Sequence, residues 1–330
     1  MKNSRLAAPL RIFWDVNYLK SYSDKPALQK ENILKIADEI IACKPFFVNL
    51  GEDILNYEQL AELLEKFSLA KIKLSLSSSN LIAADKGKYG FLKEHKLDFM
   101  EFRLDPHIGK IKKDKNYLNK ICETLKVYES ITKKVCPSLV ITKENFELLP
   151  YLLDYFIERG IKYFKMPNTV INERNIGKAE MEHLIYDDVK KLKEIIGGRI
   201  SYIKSKMELF IHDLFIFEIF YPAGEESSKR SEYGGCQAGN ALCYIDQKGD
   251  LYLCSSLYIS LGNVLKEDIK SLFKSEKRLN YKNMIEEQYS KQCVQCIDFS
   301  KCRGGCRGIV YFMNDSFLGL DPLCPYKGDE

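Results

Sequence analysis

The chain has 330 residues, 45% of them hydrophobic, with 29% charged and a formal net charge of +4, enough to bury a large core and to build one large domain with a smaller one. Lysines and acids are interspersed and no run of about twenty apolar residues occurs, which excludes an electrostatic nucleic-acid footprint, a membrane-surface patch and a transmembrane helix. No signal peptide opens the chain, so a reducing, cytoplasmic setting is expected.

From residue 11 to about 200, short apolar runs alternate with amphipathic stretches, the pattern of repeated βα units and a parallel sheet or barrel. Strands are expected at 11–16, 46–50, 72–76, 97–102, 138–141 and 161–166. Ile33, Ile36, Ala37, Ile40 and Ile41 give the first helix one apolar face, and Phe146, Leu149, Leu153 and Phe156 do the same before strand six, where Gly160 supplies a stop. Helical stretches are expected around 179–196 and 207–220. The most apolar stretch, Leu209 to Tyr221, is too short to cross a bilayer and contains His212, Asp213 and Glu218, so it reads as buried core or interface. Tyr244 to Leu253 reads as a hairpin turning at Gln247-Lys248-Gly249, with Cys243 and Cys254 on opposite strands.

Eight of the eleven cysteines fall between Cys236 and Cys324. The spacing is Cys236, twelve residues, Gly249, four residues, Cys254, then Cys293-x2-Cys296-x5-Cys302-x3-Cys306, and last Cys324, with Cys243 inside the first gap. Thiolates are soft ligands, and four around one centre suit either tetrahedral zinc or an iron–sulfur cluster, so eight point to two centres. The glycines of Arg303-Gly304-Gly305-Cys306 permit the tight turns that let sulfurs converge. Disulfides fit poorly with the absence of a signal peptide, whereas spacing alone leaves zinc and iron both open.

The spacing C-x(9–15)-G-x4-C, C-x2-C-x5-C-x3-C and a final C resembles the SPASM domain, the auxiliary-cluster domain appended to many radical S-adenosylmethionine (SAM) enzymes that modify peptides. The resemblance implies two auxiliary iron–sulfur clusters of the [4Fe–4S] kind. One would take Cys236, Cys254 and Cys306 with Cys243 as a possible fourth ligand, the other Cys293, Cys296, Cys302 and Cys324. It also implies a partial (β/α)6 barrel, giving an N-terminal extension at 1–10, a degenerate radical-SAM barrel at 11–200, a bridging segment at 201–232 and a SPASM domain at 233–330. With the barrel starting at residue 11, no N-terminal winged-helix leader-binding domain is expected.

An active radical SAM enzyme carries C-x3-C-x2-C in the loop after strand one. Here Trp14-Asp15-Val16-Asn17 resembles the family's W-(D/E)-V-T, yet the three cysteine positions fall on Lys20, Asp24 and Ala27, none of them a thiol. Cys43, Cys122 and Cys136 share no short loop with one another and read as packed side chains. After strand two, Leu50-Gly51-Glu52-Asp53 stands where the family has Gly-Gly-Glu-Pro, so Gly51 and Glu52 are the remnant of a SAM-contact motif, or simply a strand-to-helix turn. SAM binding is not expected. After strand four, Arg103 would either reach the barrel mouth or pair with a neighbouring acid, and His95, His107, His183 and His212 show no ligand spacing.

These residues support a pseudo-radical-SAM/SPASM protein, without catalytic residues of its own, similar to those found beside a true radical SAM/SPASM enzyme and a short precursor peptide in ribosomal peptide modification. Its role would be precursor recognition or electron transfer. The alternatives are an active maturase with an atypical SAM site and a structural metal-binding module.

Overall fold

The structure, a computed structural model, describes residues 6–16, 28–51, 53–171, 176–222 and 235–326. Lys20, Asp24, Ala27 and Glu52 lie outside the described residues. Among the described residues the strands are β1 (Arg11–Asp15), β2 (Phe47–Gly51), β3 (Lys73–Ser78), β4 (Leu97–Arg103), β5 (Val135–Ser138), β6 (Tyr163–Met166), β7 (Glu208–Ile211), β8 (Leu242–Ile245), β9 (Asp250–Cys254) and β10 (Leu257–Asn263). The chain divides into two units, one of Met1–Ser138, Gly239–Cys254 and Ile259–Leu279, the other of Leu139–Ala238, Ser255–Tyr258 and Asn280–Glu330. Among the described residues no helix is long and apolar enough to cross a membrane.

In the first unit the strands run side by side in the order β10-β9-β8-β1-β2-β3-β4-β5. Side chains alternate across a strand, so register decides which residues share a face. Parallel pairing sets Ile12 beside Val48 and Leu74, and Trp14 beside Leu50, Leu76 and Met100. All of these are 0–1% exposed, and they form the apolar face. The helix Lys30–Cys43 offers the matching apolar stripe through Ile33, Ile36, Ala37 and Ile40, and it stops at Lys44 in the left-handed conformation. The opposite face is polar: Asn49 donates to Ser75 Oγ at 2.6 Å, and Asp15 Oδ2 accepts from Tyr244 Oη at 2.7 Å.

The hairpin β8–β9 forms as expected, its turn fixed by the Asp246 carboxylate, which accepts from the N–H groups of Lys248 and Asp250, and by Gly249 at φ 82°. The sequence gives no sign that β8 then pairs in parallel with β1, Cys243 beside Ile12 and Ile245 beside Trp14. Strand five lies three residues earlier than expected, at Val135–Ser138, and so contains Cys136 instead of following it. The apolar run 139–141 follows the strand as loop, and Pro137 within the strand has no N–H to give a ladder.

The second unit contains β6 and β7 paired in parallel, Phe164 beside Leu209 and Met166 beside Ile211. The expected helix over 207–220 is in fact a strand followed by a helix, because Asp213 Oδ1 accepts from the N–H groups of Phe215 and Ile216 and caps Leu214–Phe220. Helices span Ile176–Glu182 and Tyr186–Ile196. Ser256 Oγ donates to the Thr169 carbonyl at 2.7 Å and the Tyr186 N–H to the Pro322 carbonyl at 3.1 Å, joining distant segments within this unit.

Candidate metal centre

Cys293, Cys296, Cys302 and Cys324 line one cavity of about 150 Å³ in the second unit, with Phe215 and Leu320 among its apolar walls. Local sequence places each sulfur. Ser290 Oγ accepts from the Cys293 N–H at 3.0 Å and starts the helix Lys291–Gln295, which ends as Cys296 turns to extended backbone. The short helix Phe299–Cys302 gives way to three consecutive left-handed residues, Arg303 at φ 49°, Gly304 at 76° and Gly305 at 69°. That turn brings the Gly304 and Gly305 amides to the Cys302 sulfur. The Tyr326 amide likewise serves Cys324.

Burial pushes the Cys302 thiol up against those two amides, and burial pushes Cys324 up to about 11. A metal bound by Cys302 and Cys324 would therefore displace their protons. At the rim, Asp298 accepts from Lys301 Nζ and Tyr326 Oη, each at 3.0 Å, which holds Tyr326 two residues beyond Cys324. None of the four histidines lines the cavity.

Gly305 is required on two counts, its positive φ and the closeness of Asp321, on which any Cβ would intrude. That closeness lets Asp321 Oδ2 accept the Cys306 N–H at 2.8 Å while Oδ1 accepts the Leu323 N–H at 2.9 Å. Gly305→Ala is expected to lower stability by about 1–3 kcal/mol from backbone strain alone. Thermal unfolding of the purified variant measures this, and its iron content should fall in parallel.

Among the described residues no three Cys, His, Asp or Glu side chains converge on a point that a bare ion could fill. Four cysteines line the cavity instead. A [4Fe–4S] cube takes one thiolate at each of its four iron corners, so a cavity lined by four cysteines, with backbone amides directed at two of their sulfurs, fits such a cluster.

The other predicted ligands are placed as follows. Cys236 and Cys306 belong to the second unit, and Cys306 Sγ accepts from Asn168 Nδ2 at 3.3 Å. Cys243 and Cys254 belong to the first unit. There Tyr244 faces Tyr252 and Ile245 faces Leu251, so Cys243 stands opposite Leu253, and Cys243 and Cys254 leave the hairpin by opposite faces. Cys243 is 0% exposed, and burial, with Cys43 nearby, pushes its thiol well above the ordinary range.

The turn after β2, read from the sequence as a remnant SAM-contact motif or a strand-to-helix turn, makes contacts of its own. Asp53, where the family carries proline, sits at φ 45°, which a pyrrolidine ring fixed near −65° cannot adopt. Its Oδ1 accepts from both the N–H and the Oγ of Ser79, each at 2.7 Å. Gly51 lies so close to Asp15 that a Cβ would come within 2.5 Å of Oδ1. Arg103 Nε lies 3.8 Å from Asp105 Oδ2. His107 is buried on Phe102, with Nε2 at 2.7 Å from the Ser79 carbonyl and Nδ1 at 3.0 Å from Tyr117 Oη, and burial lowers its pKa. Sequence reasoning missed this Asp53–Ser79–His107 network, whose members lie in the separate turns that follow β2, β3 and β4.

Residues 236–297 match the family model of the SPASM iron–sulfur cluster-binding domain. An AdoMet-dependent heme synthase of Nitratidesulfovibrio vulgaris is 32% identical over 94 residues, 28% of this chain and 25% of that protein. The mycofactocin maturase MftC of Mycobacterium tuberculosis is 31% identical over 93 residues, 27% of this chain and 23% of that protein. The matches thus span about a quarter of these relatives' lengths. Streptococcus suis SuiB bound to S-adenosylmethionine superposes with a TM-score of 0.70 at 18% identity, over 98% of this chain and 79% of that one. SuiB bound to its precursor peptide SuiA does so with 0.70 at 19%, over 98% and 77%. The fold is accordingly the α/β fold of radical SAM enzymes with a SPASM C-terminal region.

Proposed function

We propose that this chain is an auxiliary iron–sulfur protein that does not cleave SAM and works beside a true radical SAM/SPASM enzyme on a short precursor peptide. The observation that carries the reading is an imbalance of thiols. Four cysteines line one cavity, whereas the segment 17–27, where a SAM cluster would need three, contains none. The peptide as substrate class is supported by the likeness to MftC, a maturase by name, and to SuiB, whose structure holds a precursor peptide.

On this reading Cys293, Cys296, Cys302 and Cys324 would hold one [4Fe–4S] cluster. Its four protein ligands leave no iron open to a substrate, so the chemistry it supplies is one-electron exchange. The chain's own residues do the rest. The Gly304, Gly305 and Tyr326 amides stabilise the sulfurs as thiolates, and Phe215 and Leu320 keep water from that side of the cavity. The second centre, with Cys236, Cys254 and Cys306, rests on the sequence signature. We leave Cys243 out of its ligand set because of its hairpin face and burial. Cys243→Ala should retain the wild-type iron content, whereas Cys254→Ala should lose iron. Metal analysis of the two variants checks the assignment.

Reversible reduction tests the role itself. Anaerobically reconstituted protein should lose its visible absorption on adding dithionite and regain it on reoxidation. Protein that stays unreduced across the accessible range supports a structural module and contradicts electron exchange.

A further inference from the structure

Arg307 is the first residue of the helix Arg307–Asn314, directly after Cys306, and it is 1% exposed. Its guanidinium donates from Nη2 to the Gln288 carbonyl at 2.6 Å and to the Phe317 carbonyl, and from Nη1 to the Gly304 carbonyl at 3.4 Å. Its centre lies 4.8 Å from the Tyr289 ring and 5.6 Å from the Phe317 ring. Among the described residues Nε is buried without a hydrogen-bond partner. These acceptors are neutral carbonyls, so the cation is fully buried without an anion bonded to it. The neighbouring carboxylate, Asp321, spends both oxygens on the Cys306 and Leu323 amides.

A buried, unpaired charge is costly, and proteins rarely keep one without a counter-charge. Burial acts against this guanidinium, and Tyr289, Cys236, Cys293 and Asp321 lie close enough to act in its favour when they are charged. Two of those are predicted cluster ligands, one from each centre. The carbonyls that Arg307 grips come from just before Cys293, from the turn between Cys302 and Cys306, and from seven residues before Cys324.

We propose that Arg307 is the built-in counter-cation of the iron–sulfur centres, its guanidinium balancing the negative charge that thiolate-ligated clusters bring to this unit. The inference rests on the cluster reading above. A thiolate-ligated cluster is a net anion and gains one further negative charge on reduction, so a fixed cation beside it favours the reduced state and raises the reduction potential. Arg307 does not touch a substrate; it is a positioning and charge-balancing residue. Its permanent charge sets it apart from the hydrogen bonds that Gly304 and Gly305 make, which respond to geometry alone.

The experiment is an anaerobic redox titration followed by electron paramagnetic resonance, with iron analysis, on the reconstituted full chain and on its Arg307→Lys and Arg307→Gln variants. Arg307→Lys keeps the charge and should keep both the iron and a near-wild-type potential. Arg307→Gln should move the reduction equilibrium at least tenfold toward the oxidised state, about 59 mV downward for a one-electron couple, or should lose iron that the Lys variant retains. Either result supports the proposal. Lys and Gln variants that behave alike, both wild-type in iron and potential or both stripped of iron, overturn it, because then the charge is not what matters. Wild-type protein that takes up no iron overturns the cluster reading itself.

Discussion

Cys302→Ser is expected to remove one cluster and about half of the iron, from about eight atoms per chain to about four if both centres are [4Fe–4S]. Cys302 closes a four-residue helix and takes two amide hydrogen bonds from the left-handed Gly304-Gly305 turn, so its sulfur is held by backbone that no neighbouring residue can reproduce. Serine is nearly isosteric, yet its hydroxyl is a hard donor that stays protonated near neutral pH and replaces a soft thiolate poorly. The loss reaches beyond one ligand. Cys293 lies within one helix, Cys296 directly follows it, and Cys324 lies on a separate C-terminal segment, so a cluster there would join three pieces of chain around the cavity. Because metal binding to such a site is also folding free energy, the variant should melt at a lower temperature than wild type. Iron analysis and thermal unfolding read the two effects, and a variant with full iron would remove Cys302 from the ligand set.

The second large effect is an expected absence of turnover. Given SAM and dithionite under anaerobic conditions, the chain alone should form no 5′-deoxyadenosine above a protein-free control, while an intact radical SAM/SPASM enzyme assayed beside it does. Three irons need three thiolates after β1, and Lys20, Asp24 and Ala27 offer an ammonium, a carboxylate and a methyl group. Nor can Cys43, Cys122 and Cys136 replace them. Cys43 and Cys122 are 8% exposed and Cys136 is 0% exposed, and burial pushes Cys43 up to about 11. The turn after β2 points the same way. Leu50 is bulky where the family has glycine, Gly51 is closed in by Asp15, and Asp53 is fastened to Ser79 in a backbone conformation forbidden to proline. Repeated turnover by this chain alone would reverse the conclusion.

The gathering of Cys293, Cys296, Cys302 and Cys324 around one cavity was legible because spacing is a one-dimensional property: two residues between Cys293 and Cys296 suffice for a helical turn and an exit, and Gly304-Gly305 announces the sharp bend that follows. The βα alternation was legible for the same reason, since the apolar periodicity of Ile33, Ile36 and Ile40 is local. What escaped depends on contacts distant in sequence. The pairing of β8 with β1 joins residues about 230 apart, and only that register shows Cys243 packed toward the helix of Cys43. The strand β7 was hidden in an apolar run with helical spacing until Asp213 declared itself a cap. The buried charge of Arg307 has no sequence signal at all, because an arginine after a cysteine reads as surface until its carbonyl partners are known.

The most direct test of the whole account is metal and acid-labile sulfide analysis of the protein purified and reconstituted without oxygen. The account predicts iron and sulfide in equal amounts, about eight of each per chain for two [4Fe–4S] clusters. Zinc bound tightly in place of iron, with no sulfide, would contradict it.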